Sequence, residues 1–201
     1  MQIYTKAKKS QMYGFRSAEK DLSSVRGEHE IVVFSDSHGR TGFMKEVLSA
    51  HPRADVIHLG DGVRDLDLLD LSGRAVICVA GNHEMPFENY RIPGCEDLPD
   101  LLVLDLHGTL TYVTHGAVEG VKYGYERLCQ RADRFGCALA LFGHTHHVCD
   151  EYLPHGLQAV SDTDAHPLRL FNPGTAGLGH PHSCGILTFR NGVLLTSHFS
   201  G

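Results

Sequence analysis

The feature that most constrains this chain is a set of apolar runs, each of which stops at a small residue followed by a metal-capable side chain. Ile31–Phe34 leads into Ser35–Asp36 and His38, Val56–Leu59 into Gly60–Asp61, and Ala75–Ala80 into Gly81–Asn82. Thr109–Thr114 ends at His115, and Ala138–Phe142 ends at Gly143–His144 with His146. Apolar runs without alternation are the pattern of strands buried on both faces, and helical segments between them make parallel crossovers. In open α/β sheets the ligand site lies beyond the carboxyl ends of the strands. Termini scattered along the sequence can therefore converge on one place.

Residues 1–30 differ in composition and read as an N-terminal arm of uncertain structure, with one α/β domain over 31–201. Met44, Val47 and Leu48 fall at helical spacing between Thr41 and His51, and Leu66 and Leu69 suggest a short helix. Leu101–Leu106 and Thr109–Thr114 read as a hairpin around His107–Gly108. A helix is expected from Val118 to about Arg134, with Glu119 early and Arg131 and Arg134 late, as the helix dipole favours. Strands are expected near Leu157–Val160, Leu168–Phe171, Cys184–Phe189 and Val193–His198, the last two joined by an Asn191–Gly192 turn.

The formal charge of −6 argues against wholesale coating of nucleic acid. It leaves room for a small phosphorylated substrate, because bound metal ions can supply positive charge locally. No apolar run approaches the roughly 20 residues needed to span a bilayer, and no signal-peptide core follows Lys6, Lys8 and Lys9. The 6 cysteines form no CxxC pair, which points to a reducing, cytoplasmic setting. A homo-oligomer is left open. The 15 histidines are in excess for this length, and imidazole is both the commonest metal ligand and the usual acid or base near neutral pH.

Asp36, His38, Asp61, Asn82, His115, His144 and His146 are the candidate ligands. They are too many for one tetrahedral zinc, and too rich in oxygen for a structural thiolate site. The set suits two adjacent divalent transition ions sharing one carboxylate. Mixed imidazole and carboxylate donors leave the metal open among manganese, iron, zinc, nickel and cobalt. Each fragment alone is an ordinary turn; the ordered series is not. A zinc site from Cys137, His144, His146 and Cys149 fails, because Cys137 begins the strand that His144 terminates.

Asp36-x-His38, Gly60–Asp61, Gly81–Asn82–His83–Glu84, His115–Gly116 and Gly143–His144–Thr145–His146 together resemble the calcineurin-like metallophosphoesterases. The likeness is to their small bacterial and archaeal phosphodiesterases, and also to the phosphoesterase-like subunit of the retromer sorting complex. It covers Ile31 to about His198 and implies a four-layer αββα sandwich of two mixed sheets flanked by helices. It implies one metal held by Asp36, His38, Asp61 and His146, and another by Asp61, Asn82, His115 and His144, with Asp61 bridging. Such a pair supports in-line attack of a metal-bridging hydroxide on phosphorus. His83 would then protonate the leaving oxygen, and Glu84 would orient His83.

A phosphodiesterase is the leading expectation. A phosphomonoesterase or nucleotide pyrophosphatase with the same site is an alternative, and a non-catalytic scaffold like the retromer subunit is another. Asn82 and His83 are expected to touch substrate, and His180 and His182 could replace the arginine that the family often carries downstream of its Asn-Pro-Gly turn, here Asn172–Pro173–Gly174. His58 reads as a buried histidine supporting Asp61. The stretch Met85–Asp100 reads as a substrate-shaping lid.

Overall fold

The computed structural model describes residues 28–84, 98–154 and 166–201. Its first half holds β1 (His29–Phe34), α1 (Gly42–Ala50), β2 (Asp55–His58), a 3-10 turn (Val63–Leu68) and β3 (Val76–Cys78). β4 (Leu101–Leu106), β5 (Thr109–Thr114), α2 (Glu126–Arg134) and β6 (Leu139–Leu141) follow. The chain then adds β7 (Val148–Leu153), β8 (Leu168–Pro173), β9 (Ser183–Arg190) and β10 (Val193–Ser200).

The strands form two five-stranded sheets, ordered β10-β9-β1-β2-β3 and β4-β5-β6-β8-β7. β1, β2 and β3 run parallel in the first, and β5, β6 and β8 run parallel in the second. Antiparallel neighbours complete each sheet. Alternation along the apolar runs divides them between two cores. Ile31, Val33, Ile57, Leu59, Ile77 and Val79 face the other sheet and meet Val113, Leu139, Leu141 and Phe171. Val32, Phe34, Val56 and Cys78 face outward and are covered by Met44, Val47 and Leu48 of α1. On the far side Tyr112, Ala140 and Phe142 pack under Leu128, Cys129 and Ala132 of α2. The result is the four-layer αββα sandwich. Both faces of each inner strand are buried, which is why the runs carry no polar alternation.

Three local expectations differ from what forms. The helix expected over 118–134 is confined to Glu126–Arg134. Upstream, Gly120 and Gly124 hold φ of +70° and +150°, which a helix cannot accommodate. β1 begins at His29, inside the stretch assigned to the arm, because His29 and Glu30 extend the ladder to Phe189 and Thr188 of β9. β7 was not among the expected strands; it is a mostly exposed edge, so its pattern carries little apolar signal. The arm up to residue 27, most of the expected lid (85–97) and the expected strand Leu157–Val160 lie outside the described residues. Among the described residues no helix is long and apolar enough to cross a membrane.

Candidate metal centre

The carboxyl ends of β1, β2 and β3 in one sheet and of β5 and β6 in the other open onto the same rim. The loops are tied to one another by main chain: Asp36 N–H donates to Gly60 O at 3.0 Å, and Gly143 N–H to His115 O at 3.0 Å. Two glycines allow the closeness. A Cβ on Gly81 would overlap the Asp61 carboxylate, and one on Gly143 would overlap Ser35 Oγ and Asp36 Oδ2.

The seven expected ligands meet there in two groups. In the first, Asp36 Oδ1 lies 3.1 Å from His146 Nε2 and 3.9 Å from His38 Nε2, and His38 Nε2 lies 3.9 Å from Asp61 Oδ2. In the second, His115 Nε2 is 3.3 Å from Asp61 Oδ2 and 3.1 Å from both Asn82 Oδ1 and His144 Nδ1. The same Asp61 oxygen faces both groups. Donors about 2.1 Å from a shared ion stand about 3–4 Å from one another, so these separations fit a divalent cation in each group. Asp36 Oδ1 and His38 Nε2 are buried without a hydrogen-bond partner, as expected of atoms reserved for a cation.

Proton affinities follow from the crowding. Burial raises the Asp61 carboxyl, but hydrogen bonding and charge from His115, with the His83 N–H, bring it down to about 2. Burial likewise raises Asp36, yet His146, the charge of His115 and the Ser35 hydroxyl leave it lowered. Burial, His115 and Lys122 push His144 down to about 4. His115 runs the other way: burial lowers it, but the hydrogen bond to Asp61 and the charges of Asp36 and Asp61 leave it raised. Its other nitrogen, Nδ1, faces Leu59 O at 2.8 Å, an orientation that directs Nε2 at the site.

Supporting groups hold each loop. Asp36 Oδ2 accepts the Ser35 hydroxyl at 2.5 Å and the His144 N–H at 3.0 Å. Asp65 Oδ2 accepts Ser37 Oγ at 2.6 Å and Gly39 N–H at 2.7 Å, pinning the loop of Asp36 and His38. Asn172 donates to Gly143 O at 2.9 Å and Thr145 Oγ1 at 3.1 Å, and Thr175 Oγ1 donates to Asp36 O at 3.0 Å. His58, fully buried, lies 3.2 Å from both Ser37 Oγ and Gly60 N. It braces the neighbours of Asp61 rather than Asp61 itself. Ser35, Ser37 and Asp65 were not singled out in the sequence; short polar residues beside turns carry no specific signature.

His83 projects over the first group, its ring perpendicular to His38 at 5.0 Å and its Nε2 3.8 Å from Asp61 Oδ2. Its side chain is 63% exposed, and its Nε2 stands close enough to His38 and Asp61 to form a third group of donors with them. Glu84 does not orient it. Glu84 Oε2 accepts the N–H groups of Asp61 at 2.7 Å and Gly81 at 2.8 Å, and Oε1 those of Gly62 at 2.6 Å and Val63 at 3.1 Å. The carboxylate is thus saturated by main chain and welds the β2 and β3 loops together. His180 and His182 pair with one another at 4.5 Å, and His182 packs on Phe43 of α1. The structure does not bring either into contact with the ligands.

Residues 30–192 match the calcineurin-like phosphoesterase superfamily domain. The chain is 28% identical over 167 residues to the probable metallophosphoesterase YsnB of Bacillus subtilis, covering 80% of this chain and 85% of that one. Its fold is similar to that of an archaeal phosphodiesterase, with a TM-score of 0.58, 18% identity and coverage of 86% and 99%. It is also similar to vacuolar protein sorting 29 of Cryptosporidium parvum, with a TM-score of 0.57, 17% identity and coverage of 87% and 100%. Sequence match, two-sheet sandwich and clustered aspartates and histidines agree: the chain belongs to the calcineurin-like phosphoesterase superfamily.

Proposed function

We propose that the protein is a dinuclear metal-dependent phosphoesterase that hydrolyses phosphodiesters of small phosphorylated molecules. The observation that carries this reading is the single Asp61 oxygen shared by two groups of donors. Asp36, His38, Asp61 and His146 would hold one ion, and Asp61, Asn82, His115 and His144 the other, with manganese the first candidate. Divalent ions in such a pair lower the pKa of water and offset charge on phosphoryl oxygens.

The chain's own groups supply the rest. Asp61 Oδ1 accepts the His83 main-chain N–H at 2.8 Å and so fixes where the imidazole stands. His83, exposed at the rim, carries a proton to the leaving oxygen; Asn82 and His83 contact the phosphoryl group. The fold likeness to an archaeal phosphodiesterase favours a diester. Five free cysteines among the described residues suit a reducing compartment, the cytoplasm.

The likeness to a vacuolar sorting protein supports a second reading, a metal-stabilised interaction scaffold. Hydrolysis of bis(4-nitrophenyl) phosphate and 4-nitrophenyl phosphate by manganese-loaded protein separates the two. Turnover of the diester above the monoester is expected. No turnover of either, with metals measured in place, refutes the enzyme reading. His83→Ala should keep both metals and lose about 100-fold or more in kcat, the range of a missing general acid. Loss of metal instead would make His83 a ligand.

A further inference from the structure

A strand at the rim of a sheet leaves half of its main-chain groups unpaired, and folded proteins blunt such edges by shortness, charge, proline or bulges. Three of the four edges here are blunted in this way: β3 is three residues long, β4 carries Asp105, and β7 carries Asp150 and Glu151. β10 is the exception. Its eight residues, Val193–Ser200, include no Asp, Glu, Lys, Arg or Pro, and they pair with β9 in unbroken register. Among the described residues no strand covers its other edge.

The ladder fixes which groups point outward. His182 and Gly201 exchange two main-chain hydrogen bonds, at 3.2 and 3.1 Å, and bonded pairs alternate along an antiparallel ladder. Val193, Leu195, Ser197 and Phe199 thus bond to β9, while Leu194, Thr196, His198 and Ser200 turn their N–H and C=O groups to the open edge. Two side chains hold that edge firm from the inner face. Thr196 Oγ1 donates to Asp150 Oδ2 at 2.6 Å, and His198 Nε2 lies 2.7 Å from Asn172 O. Asp150 is itself neutralised by Arg169. On the outer face, Leu195 and Phe199 are exposed, with Phe199 stacked on Phe43 of α1.

We propose that β10 pairs antiparallel with β10 of a second copy of this chain, joining two five-stranded sheets into one. The strand is self-complementary about Ser197. A two-fold axis there sets Leu194 against Ser200 and Thr196 against His198 as bonded pairs, so every outward residue finds a partner. Leu195 then faces Phe199 of the second copy, twice, in the closer non-bonded pairs of the outer face. The neighbouring axis, at Thr196, leaves Ser200 unpaired and sets Leu195 against Ser197. Each chain has a formal charge of −6, so an uncharged strand is where two copies meet at least electrostatic cost. No residue of the metal centre takes part.

Sedimentation velocity over about 1–500 μM suits an interface below the standard size of about 1,600 Å². A monomer–dimer equilibrium is expected. Leu195→Glu, at an exposed position, should raise the dimer dissociation constant about tenfold or more, because both contacts of Leu195 with Phe199 are lost at once. Phe199→Lys alone should weaken association similarly. Mixing the two variants should restore it, since the new acid and the new base face each other only on the Ser197 axis; no recovery overturns that axis. Amide hydrogen exchange read by NMR supplies a second signature. In the dimer the N–H groups of Leu194, Thr196, His198 and Ser200 should be protected. In Leu195→Glu they should lose protection, while those of Val193, Ser197 and Phe199 keep it through β9. A monomer at every concentration overturns the pairing. So does a dimer whose outward amides stay unprotected, which assembles through another face, or a monomer in which they are protected, where the chain itself covers the edge.

Discussion

Glu84 offers the sharpest test of how this site is held. Its four main-chain partners divide evenly: Oε1 takes Gly62 and Val63, and Oε2 takes Asp61 and Gly81. Glu84→Gln keeps the shape but turns one of those oxygens into an NH2 group. Whichever way the amide lies, two buried N–H donors then face another donor. Stranding a buried donor costs about 1–3 kcal/mol, so the pair costs about 2–6 kcal/mol. For a domain of this size that lowers Tm by about 5–20 °C. Because two of the donors belong to Asp61 and Gly81, metal affinity should fall as well, by about 10- to 100-fold. Urea or thermal unfolding of the metal-free protein and a manganese titration read both effects. A variant with unchanged stability and metal affinity but collapsed kcat would refute the argument, and would return Glu84 to orienting His83.

Other substitutions and conditions probe the centre from different sides. Asp61→Asn should empty both metal positions together, seen by metal analysis of the purified protein; loss of one ion alone would contradict a bridging role. Gly81→Ala, whose Cβ would overlap the Asp61 carboxylate, should destabilise by about 1–3 kcal/mol and weaken metal binding, as overpacking does. Metal binding should strengthen as pH rises. His115, raised in the metal-free protein, holds a proton at low pH that a cation must displace, so affinity climbs until pH passes its raised value, and the proton released is measurable by calorimetry in two buffers. Chelation should lower Tm, by about 5–11 °C relative to protein with metal at 100 times its dissociation constant.

The sequence is legible where burial on both faces removes polar alternation and illegible where main chain does the bonding. Ile31–Phe34 and Ala138–Phe142 announce β1 and β6, and their ends announce the ligands, because these two buried runs carry no Asp or His until they emerge. Glu119 shows the opposite case. An acid early in an amphipathic stretch reads as a helix N-terminus, yet Glu119 is buried to bind Tyr112, Thr114 and Arg131. The informative residues were Gly120 and Gly124, which punctuate the supposed helix. Glu84 is a third kind. Its partners are four backbone amides, and a backbone amide leaves no mark in the sequence. The surplus histidines divide in the same way. His29 bridges Asp55 and His107 at the end of β1 remote from the metal centre, and His198 stacks on Phe171 while facing Asn172 O at 2.7 Å. The contacts of His29 with His107 and of His198 with Phe171 and Asn172 join the two sheets, and tertiary packing sets them.

The backbone at the centre shows why so many separate supports are needed. Asp36, His38, Asp61, His144 and His146 adopt positive φ, between 46° and 67°, a region that costs an L-residue about 1–2 kcal/mol. Glycine would sit there without strain, but glycine has no donor atom. Aspartate and histidine are among the side chains most tolerant of that conformation, and they are also the ligands a divalent ion requires. The two demands select the same residues. Asp65, Glu84, Asn172 and Thr175 then oppose the strain by bonding the loops from outside, while Asp36 Oδ1 and His38 Nε2 stay without partners inside. A cation would complete those last valences and favour the strained loops at once. Metal affinity and local stability are therefore linked in this fold, so a substitution that loosens a supporting bond should weaken metal binding even where it touches no ligand.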